Sequence, residues 1–234
     1  MRGFARFLVF LFLVILAVGV GAGLWLRGKI RGSLPILRGE VIVDGPAAPV
    51  RVERDALGVP TIRARTRADL AFATGFVHAQ DRFFQMDLMR RNSAGELAEL
   101  FGPVVRKKDR EVRVYRLRSR ARDVLKKSPA EERAVLDSYA RGVNAGLAAL
   151  QENPFEYLLL RSNPKPWETE DSLLVLYTMF LQLQGTDAAT ESARGLVYEK
   201  LPAKVAEFVW PRGTEWDAPI EGTAFQVQIG RAHV

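Results

Sequence analysis

VERDALGVPTIRARTRADLAFATGFVHAQDRFFQMDLMRRNSAGELAELFG, Val52 to Gly102, is the stretch whose reading decides the fold. Val50 to Arg54 alternates and is rich in β-formers, Asp55 to Gly58 supplies turn chemistry, and Val59 to Ala64 reads as the partner strand of a hairpin. Pro60 has no N–H to give to a ladder, so its strand sits at an edge or begins there. Thr66 then opens a helix, with Asp69 at capping-box spacing, although Glu or Gln is the usual partner. Leu70, Ala73, Val77, Phe84 and Leu88 trace an apolar stripe at helical spacing. Ser93 and Glu96 form a second capping pair, and Gly102-Pro103 stops the short helix after it.

Upstream, EVIVD (Glu40–Asp44) reads as a further short strand, broken by Gly45-Pro46 and Pro49. Residues 27–39 are a basic linker containing Gly and Pro. Before them, FLVFLFLVILAVGVGAGLWL (Phe7–Leu26) runs for twenty residues without a charge. At 1.5 Å per residue that is about 30 Å, the thickness of a bilayer core. Residues 1–6 are basic; Arg27, Lys29 and Arg31 follow the span, and Trp25 sits where an interfacial anchor belongs. A cleaved signal has a shorter apolar core, and Gly21-Ala22-Gly23 is a weak cleavage site, so an uncleaved transmembrane anchor is the favoured reading. Charge does not set its orientation, because the basic residues after the span are as dense as those before it.

Downstream, Ser128-Pro129-Ala130-Glu131 reads as N-cap, first helical position and capping Glu, opening a helix to about Leu150. Val135, Tyr139, Val143 and Leu147 recur at four-residue spacing along it. Asn153-Pro154 and Asn163-Pro164-Lys165-Pro166 break the chain. Thr169 caps a helix through Leu183, another spans Ser192 to Lys200, and Pro202 starts a last one to Trp210. The class is therefore α+β: mostly helix, with a short N-terminal β element and one transmembrane helix.

The chain has 234 residues, 48% hydrophobic and 26% charged, enough apolar material for a core. It has no cysteine, which excludes a disulfide framework, a thiolate metal site and a cysteine nucleophile. The net charge is +7, and nine basic residues fall between Arg106 and Arg122. No aromatic interleaving or nucleic-acid motif accompanies them. The run reads as a solvated helical face, near anionic lipid at most, and no nucleic-acid partner is expected. The last six residues, IGRAHV (229–234), back-translate as ATC GGA AGA GCA CAC GTC, a sequencing-adapter sequence, and Gln228 as CAG fits the two bases before it. The expectation is that native sequence stops near Val227 and that 229–234 stand outside the fold.

With His233 set aside, His78 is the only histidine, and its mid-helix setting reads as a hydrogen-bonded packing residue. HExxH, Walker, GxSxG and GxGxxG patterns are all missing, so zinc protease, NTPase, common esterase and dinucleotide readings lack their motifs. Asp87 with Arg90 or Arg91 has the spacing of ion pairs along one helix face, a structural seam.

At RDALGVPTIRA and GFVHAQDRFFQMDLMRRNSAGELAELFG the chain resembles the penicillin acylase (penicillin amidase) family. SPAEERAVLDSYARGVNAGL, NPKPWETEDSLLV, YTMFLQLQ and PRGTEWDAPIEGTAF agree in the same order, so the resemblance covers about Glu40 to Phe225. It implies an N-terminal nucleophile hydrolase with a four-layer αββα core, made as a precursor that cuts itself into an α chain, a spacer and a β chain. Residues 40–228 correspond to the α-chain region. The nucleophile, a Ser heading the β chain, lies beyond this sequence, so no catalytic residue is expected within it. The resemblance further implies that Met179 and Leu183 line the acyl side-chain pocket. Gln182 stands where the family usually has a basic residue, which leaves the acyl preference open. Glu191 is the nearest match to a glutamate that binds a structural calcium together with β-chain oxygens, although GTDAAT before it differs in length. The implied partners are the chain's own β chain, an N-acyl amide such as a β-lactam or acyl-homoserine lactone, and the inner membrane, with the body outside the cytoplasm. The rival reading is a membrane-tethered helical interaction protein without catalysis.

Overall fold

The computed structural model describes residues 2–183 and 188–211. It divides into two compact units, 1–181 and 182–234. Residues 184–187, which include the last residue of YTMFLQLQ and the first half of GTDAAT, and the stretch from 212 onward, including PRGTEWDAPIEGTAF past its first residue and all of IGRAHV, lie outside the described residues.

Helix α1, Arg2–Gly32, contains the apolar span, and Val9–Gly32 is long and apolar enough to cross a membrane. The helix runs further than the sequence predicts: residues 27–32, assigned to the linker, are its last turns. Lys29 and Arg31 suit the negative end of a helix dipole, and no proline intervenes before Pro35. The end of α1 is attached to the body. Glu152 N–H donates to Gly32 O at 3.0 Å, and Lys29 Nζ pairs with Glu152 at 2.7 Å. A Cβ on Gly32 would stand 2.6 Å from Glu152 Cγ, so a side chain there would have to displace that of Glu152.

EVIVD is not a strand. Among the described residues the only sheet pairs β1 (Arg51–Arg54) with β2 (Pro60–Arg63), antiparallel, Val52 opposite Ile62. With no neighbouring edge offered to it, residues 40–44 run outside any ladder, and Ile42 is 93% exposed. Ile36 N–H donates to Gln80 Oε1 and Ala47 N–H to Asp69 Oδ1, so this segment is pinned near both ends over a cavity of about 520 Å³. In the hairpin turn, Asp55 Oδ1 accepts from Leu57 and Val59 N–H, and Gly58 takes φ +80°. Pro60 is the first residue of its strand, where a missing N–H costs nothing.

Helix α2, Arg67–Ala94, begins as predicted: Thr66 Oγ1 accepts from Asp69 N–H at 3.0 Å. Asp69 does not return the bond: its Oδ1 accepts from Ala47 N–H, and its Oδ2 has no partner. Arg82 is non-helical (φ −146°, ψ 19°), yet the buried residues on either side keep one face, to one side of the predicted stripe. Ahead of it Phe72, Ala73 and Val77 are buried; beyond it Phe83, Asp87, Arg90 and Arg91 are. The predicted stripe therefore holds at Ala73 and Val77, while Leu70 is exposed and Phe84 and Leu88 are half-buried.

Ser93 belongs to α2 and caps nothing; its hydroxyl donates to Leu174 O at 2.7 Å. The next helix, α3 (Ala98–Phe101), is capped from a distance. Asp109 accepts from Leu97 N–H with Oδ1 and from Ala98 N–H with Oδ2. Gly102 ends α3 in the left-handed region, a 3-10 turn follows, and then α4 (Arg106–Arg113) and α5 (Leu117–Lys127). Ser128 closes α5, its hydroxyl bonded to Val124 O, so Pro129 becomes the cap of α6 (Ala130–Ala148) without a side-chain bond. Val143, at the centre of the predicted stripe, is fully buried.

The body is organised on the crossing of α2 and α6. A Cβ on Gly142 would collide with Phe72 O, one on Gly146 with Phe76 O, and one on Gly75 with Tyr139 O. Backbone thus packs on backbone, which only residues without side chains permit. One end of the crossing carries the core of Ala79, Phe83, Ala140, Val143, Tyr157 and Trp167. Tyr157 comes from α7 (Phe155–Leu160), and Trp167 from the proline-broken loop. Asn144 holds that loop by donating to Trp167 O and accepting from Trp167 N–H. Thr169 is the first residue of α8 (Thr169–Leu183), and its hydroxyl donates to Asp137.

The second unit contains α9 (Ala189–Lys200) and α10 (Ala203–Val209), with Pro202 as cap. Tyr198 Oη donates to Trp210 O at 2.7 Å and ties the pair together.

Candidate functional site

Helix α8 carries the predicted pocket residues, and its orientation is fixed from within. Asp171, Leu174 and Thr178 are its buried side. Thr178 Oγ1 donates to Met89 O at 2.6 Å, and Leu174 O accepts from Ser93. These bonds join α8 to the last turns of α2 and turn Leu176, Met179 and Phe180 outward. Met179 is 53% exposed and Leu183 is 75% exposed. Met179, Gln182 and Leu183 stand at i, i+3 and i+4, so one helical face presents all three.

Beneath α8 lies a buried ionic network centred on Arg90. Its Nε donates to Asp87 Oδ1 at 2.7 Å, and Nη1 donates to Asp171 Oδ2 at 2.5 Å and to Pro166 O at 2.7 Å. Nη2 donates to Lys165 O at 2.8 Å, and the guanidinium carbon lies 4.9 Å from the Trp167 ring centre. Only a planar fork of five N–H donors fills that set of positions. Asp87, fully buried, also accepts from Arg91 Nε at 2.9 Å and Tyr157 Oη at 2.7 Å. Burial first, and then the Asp87 charge, push the Tyr157 hydroxyl far up, so it remains a donor.

Arg118 of α5 extends the network by donating to Asp171 Oδ1 and to both Glu96 oxygens. Burial would lower its affinity for a proton, but Glu96 and Asp171 outweigh this and raise it. Glu99 closes the far edge: burial works against its charge, yet hydrogen bonds from Lys165 and Arg91 hold it below the usual carboxylate range. The predicted pairing of Asp87 with Arg90 and Arg91 is present, and its role is structural. The basic run is less solvated than the sequence predicts, since Arg113 bonds Gly95 O, Arg118 is half-buried and Arg122 pairs with Glu170.

His78 stands at the surface, Nδ1 3.0 Å from Tyr139 Oη, with the two rings edge-on. Partial desolvation lowers its pKa, opposed by Asp81. Desolvation also pushes Tyr139 up to about 12. No nucleophile adjoins His78 among these contacts; the expected hydrogen bond is present, but the side chain is exposed and not packed in the core. Glu191 is exposed in the first turn of α9. Among the described residues no three His, Cys, Asp or Glu side chains converge as a metal site. Calcium takes six to eight oxygens, so Glu191 offers one carboxylate of such a set.

Three comparisons bear on this arrangement. The fold matches a thermostable penicillin G acylase from Alcaligenes faecalis with TM-score 0.58 and 24% identity, covering 75% of this chain and 98% of that one. The body therefore has the fold of one chain of an acylase. The profile of the penicillin amidase family matches residues 49–222, and the chain belongs to that family. Penicillin acylase 2 proenzyme of Pseudomonas sp. is 42% identical over 150 residues, 64% of this chain and 19% of that protein. Acyl-homoserine lactone acylase QuiP of Pseudomonas aeruginosa is 34% identical over 186 residues, 77% of this chain and 22% of its own length. Penicillin G acylase of Escherichia coli is 31% identical over 148 residues, 61% of this chain and 17% of that protein. The chain thus spans about a fifth of the length of these curated relatives.

Proposed function

We propose that this chain is the N-terminal part of an acylase precursor that hydrolyses the amide of N-acyl compounds, β-lactams or acyl-homoserine lactones. The observation that carries the proposal is the family match over residues 49–222 in a chain about a fifth as long as its relatives. The remainder of the precursor would provide a β chain, headed after self-cleavage by the nucleophilic Ser, and would complete a four-layer αββα core around β1 and β2. The Ser hydroxyl attacks the amide carbonyl, and its proton passes through water to the terminal α-amine. That amine, with an ordinary pKa of about 8, is largely able to accept it near neutral pH. Backbone donors of the β chain stabilise the oxyanion. The amine product leaves, and water then releases the acid from the acyl-enzyme.

The α portion acts by shape. Met179 and Leu183, held outward by the bonds from Thr178 and Ser93, form one wall of the acyl pocket, with Gln182 beside them. Glu191 gives one carboxylate to a structural calcium otherwise held by β-chain oxygens. Helix α1 anchors the body at the inner membrane, outside the cytoplasm.

The test begins with the native locus downstream of Val227. A continuing frame that leads through a spacer to a Ser-headed segment, and a complete product that releases amine from an acylated β-lactam or homoserine lactone, is the expected result. This chain alone is expected to be inactive. A natural stop after Val234, or amidase activity in the isolated chain, overturns the proposal.

A further inference from the structure

The two hydroxyl bonds between α8 and α2 are an exchange. A serine or threonine inside a helix can turn its hydroxyl back to the carbonyl four residues earlier in its own helix. Thr74 and Ser128 do this, toward Leu70 O at 2.8 Å and Val124 O at 3.0 Å. The corresponding carbonyl is Met89 O for Ser93 and Leu174 O for Thr178. Each of these two hydroxyls has taken the other's. Ser93 Oγ donates to Leu174 O at 2.7 Å, and Thr178 Oγ1 donates to Met89 O at 2.6 Å. Ser93 Oγ lies 3.4 Å from Met89 O, its own helix's acceptor. Ser138 also crosses to another helix, at Ala68 O, but an alanine has no hydroxyl to return.

Reciprocity couples the two residues. A hydroxyl carries one proton, so it serves one helix or the other at full strength. Without the Thr178 oxygen, Met89 O stands open to Ser93, which reaches it by a rotation of its side chain. Without the Ser93 oxygen, Leu174 O stands open to Thr178 in the same way. Either loss offers the survivor its own helix again, and both crossings go together. Ser93 is 1% and Thr178 2% exposed, so the exchange is complete within this chain. Its place on α8 gives it a role. The buried residues of α8 are Asp171, Leu174 and Thr178. Asp171, held by Arg90 and Arg118, fixes the first turn. The exchange fixes the rotation of the later turns, at the residue next to Met179. A helix with its side chains is about 10–12 Å across, so a turn of about 20° moves a side-chain end by about 2 Å.

We infer that Ser93 and Thr178 are positioning residues for acyl selection, acting as one unit through Met179, an inference that rests on the reading of α8 as a wall of the acyl pocket. The complete acylase is assayed on amides of one amine carrying acyl chains of increasing length. Thr178→Val, Ser93→Ala and the double variant are each expected to change the ratio of kcat/KM between short and long chains by about tenfold, the lower end of what one methylene decides in an apolar pocket. The factor is expected to be the same in all three. Thr178→Ser keeps the hydroxyl and is expected to restore the ratio. Urea midpoints are read alongside. A fall in midpoint with unchanged ratios makes the exchange structural only and overturns the inference. Changes that add up in the double variant make the hydroxyls two independent contacts and overturn it as well. Ser93→Ala removes a single oxygen and decides the question if the valine variant does not fold. Met179→Ala separates the two readings. If it changes the ratios and the hydroxyl variants do not, the inference fails and the pocket stands. If Met179→Ala leaves the ratios unchanged while the amides are still cleaved, the pocket reading fails and takes the inference with it.

Discussion

Arg90 is the residue on which most of the interior depends. Its partners Asp87 and Asp171 are 0% and 1% exposed, so removing the guanidinium leaves two buried carboxylates each short of one cation, with only Arg91 and Arg118 to hold them. Arg90→Ala is expected to cost about 3–5 kcal/mol, read as a fall in the urea midpoint. Arg90→Lys should recover little of it, since an ammonium cannot span Asp87, Asp171 and two carbonyls together. The sequence shows the pairing of Asp87 with Arg90 and Arg91 by spacing alone. It hides Asp171 and Tyr157, which lie 81 and 70 positions from their partners. His78 sets a pH dependence. Its folded pKa is below the ordinary 6.5 because of desolvation, with Asp81 opposing, so the unfolded chain binds the proton more readily. Stability contributed by the neutral ring is complete above that value and is lost as pH falls from it through the folded pKa. His78→Gln should flatten a plot of unfolding midpoint against pH in that window, and an unchanged slope would show that the ring's setting is immaterial.

At the scale of elements, the crossing of α2 and α6 sets the arrangement. Gly142→Ala has to force a methyl against Phe72 O, so the helices must separate, at an expected cost of about 1–3 kcal/mol. Gly195→Ala in α9 meets nothing within 4 Å and should be neutral or stabilising, by up to about 1 kcal/mol. Comparing the two thermal midpoints separates the crowding of the crossing from helix propensity in general. Helix positions were legible in the sequence, because stripes such as Val135 to Leu147 report burial directly. Caps were less so. Ser93 and Ser128 have cap chemistry, yet preceding helices hold them, and the working caps are Thr66, Pro129 and the distant Asp109. EVIVD has strand composition but no neighbour among the described residues, and a strand is a property of two segments. The break at Arg82 has no proline or glycine to announce it, and nothing in the structure explains it.

For the whole molecule, the exposed face of α8 is the surface we propose as this chain's share of an acyl pocket. Met179→Ala and Leu183→Ala in the complete acylase should favour bulkier acyl groups, changing relative kcat/KM across a series of acyl chains with little change in stability. Unaltered ratios would return both residues to a surface role. Composition and spacing alone do not point to a pocket here; that expectation comes from the resemblance, through YTMFLQLQ, and the structure adds that Met179 and Leu183 are exposed. The Arg90 network has a further consequence, in the timing of synthesis. While the chain emerges from the ribosome, α2 is complete long before Trp167 and Asp171 exist, and through that interval the charges of Asp87 and Arg90 have no enclosing shell. A nascent chain halted before Pro166 should therefore be cut readily by protease within α2, whereas one released past Leu183 should resist. Until translation has gone that far, the earliest helix of the body is held as a commitment that the chain has not yet closed.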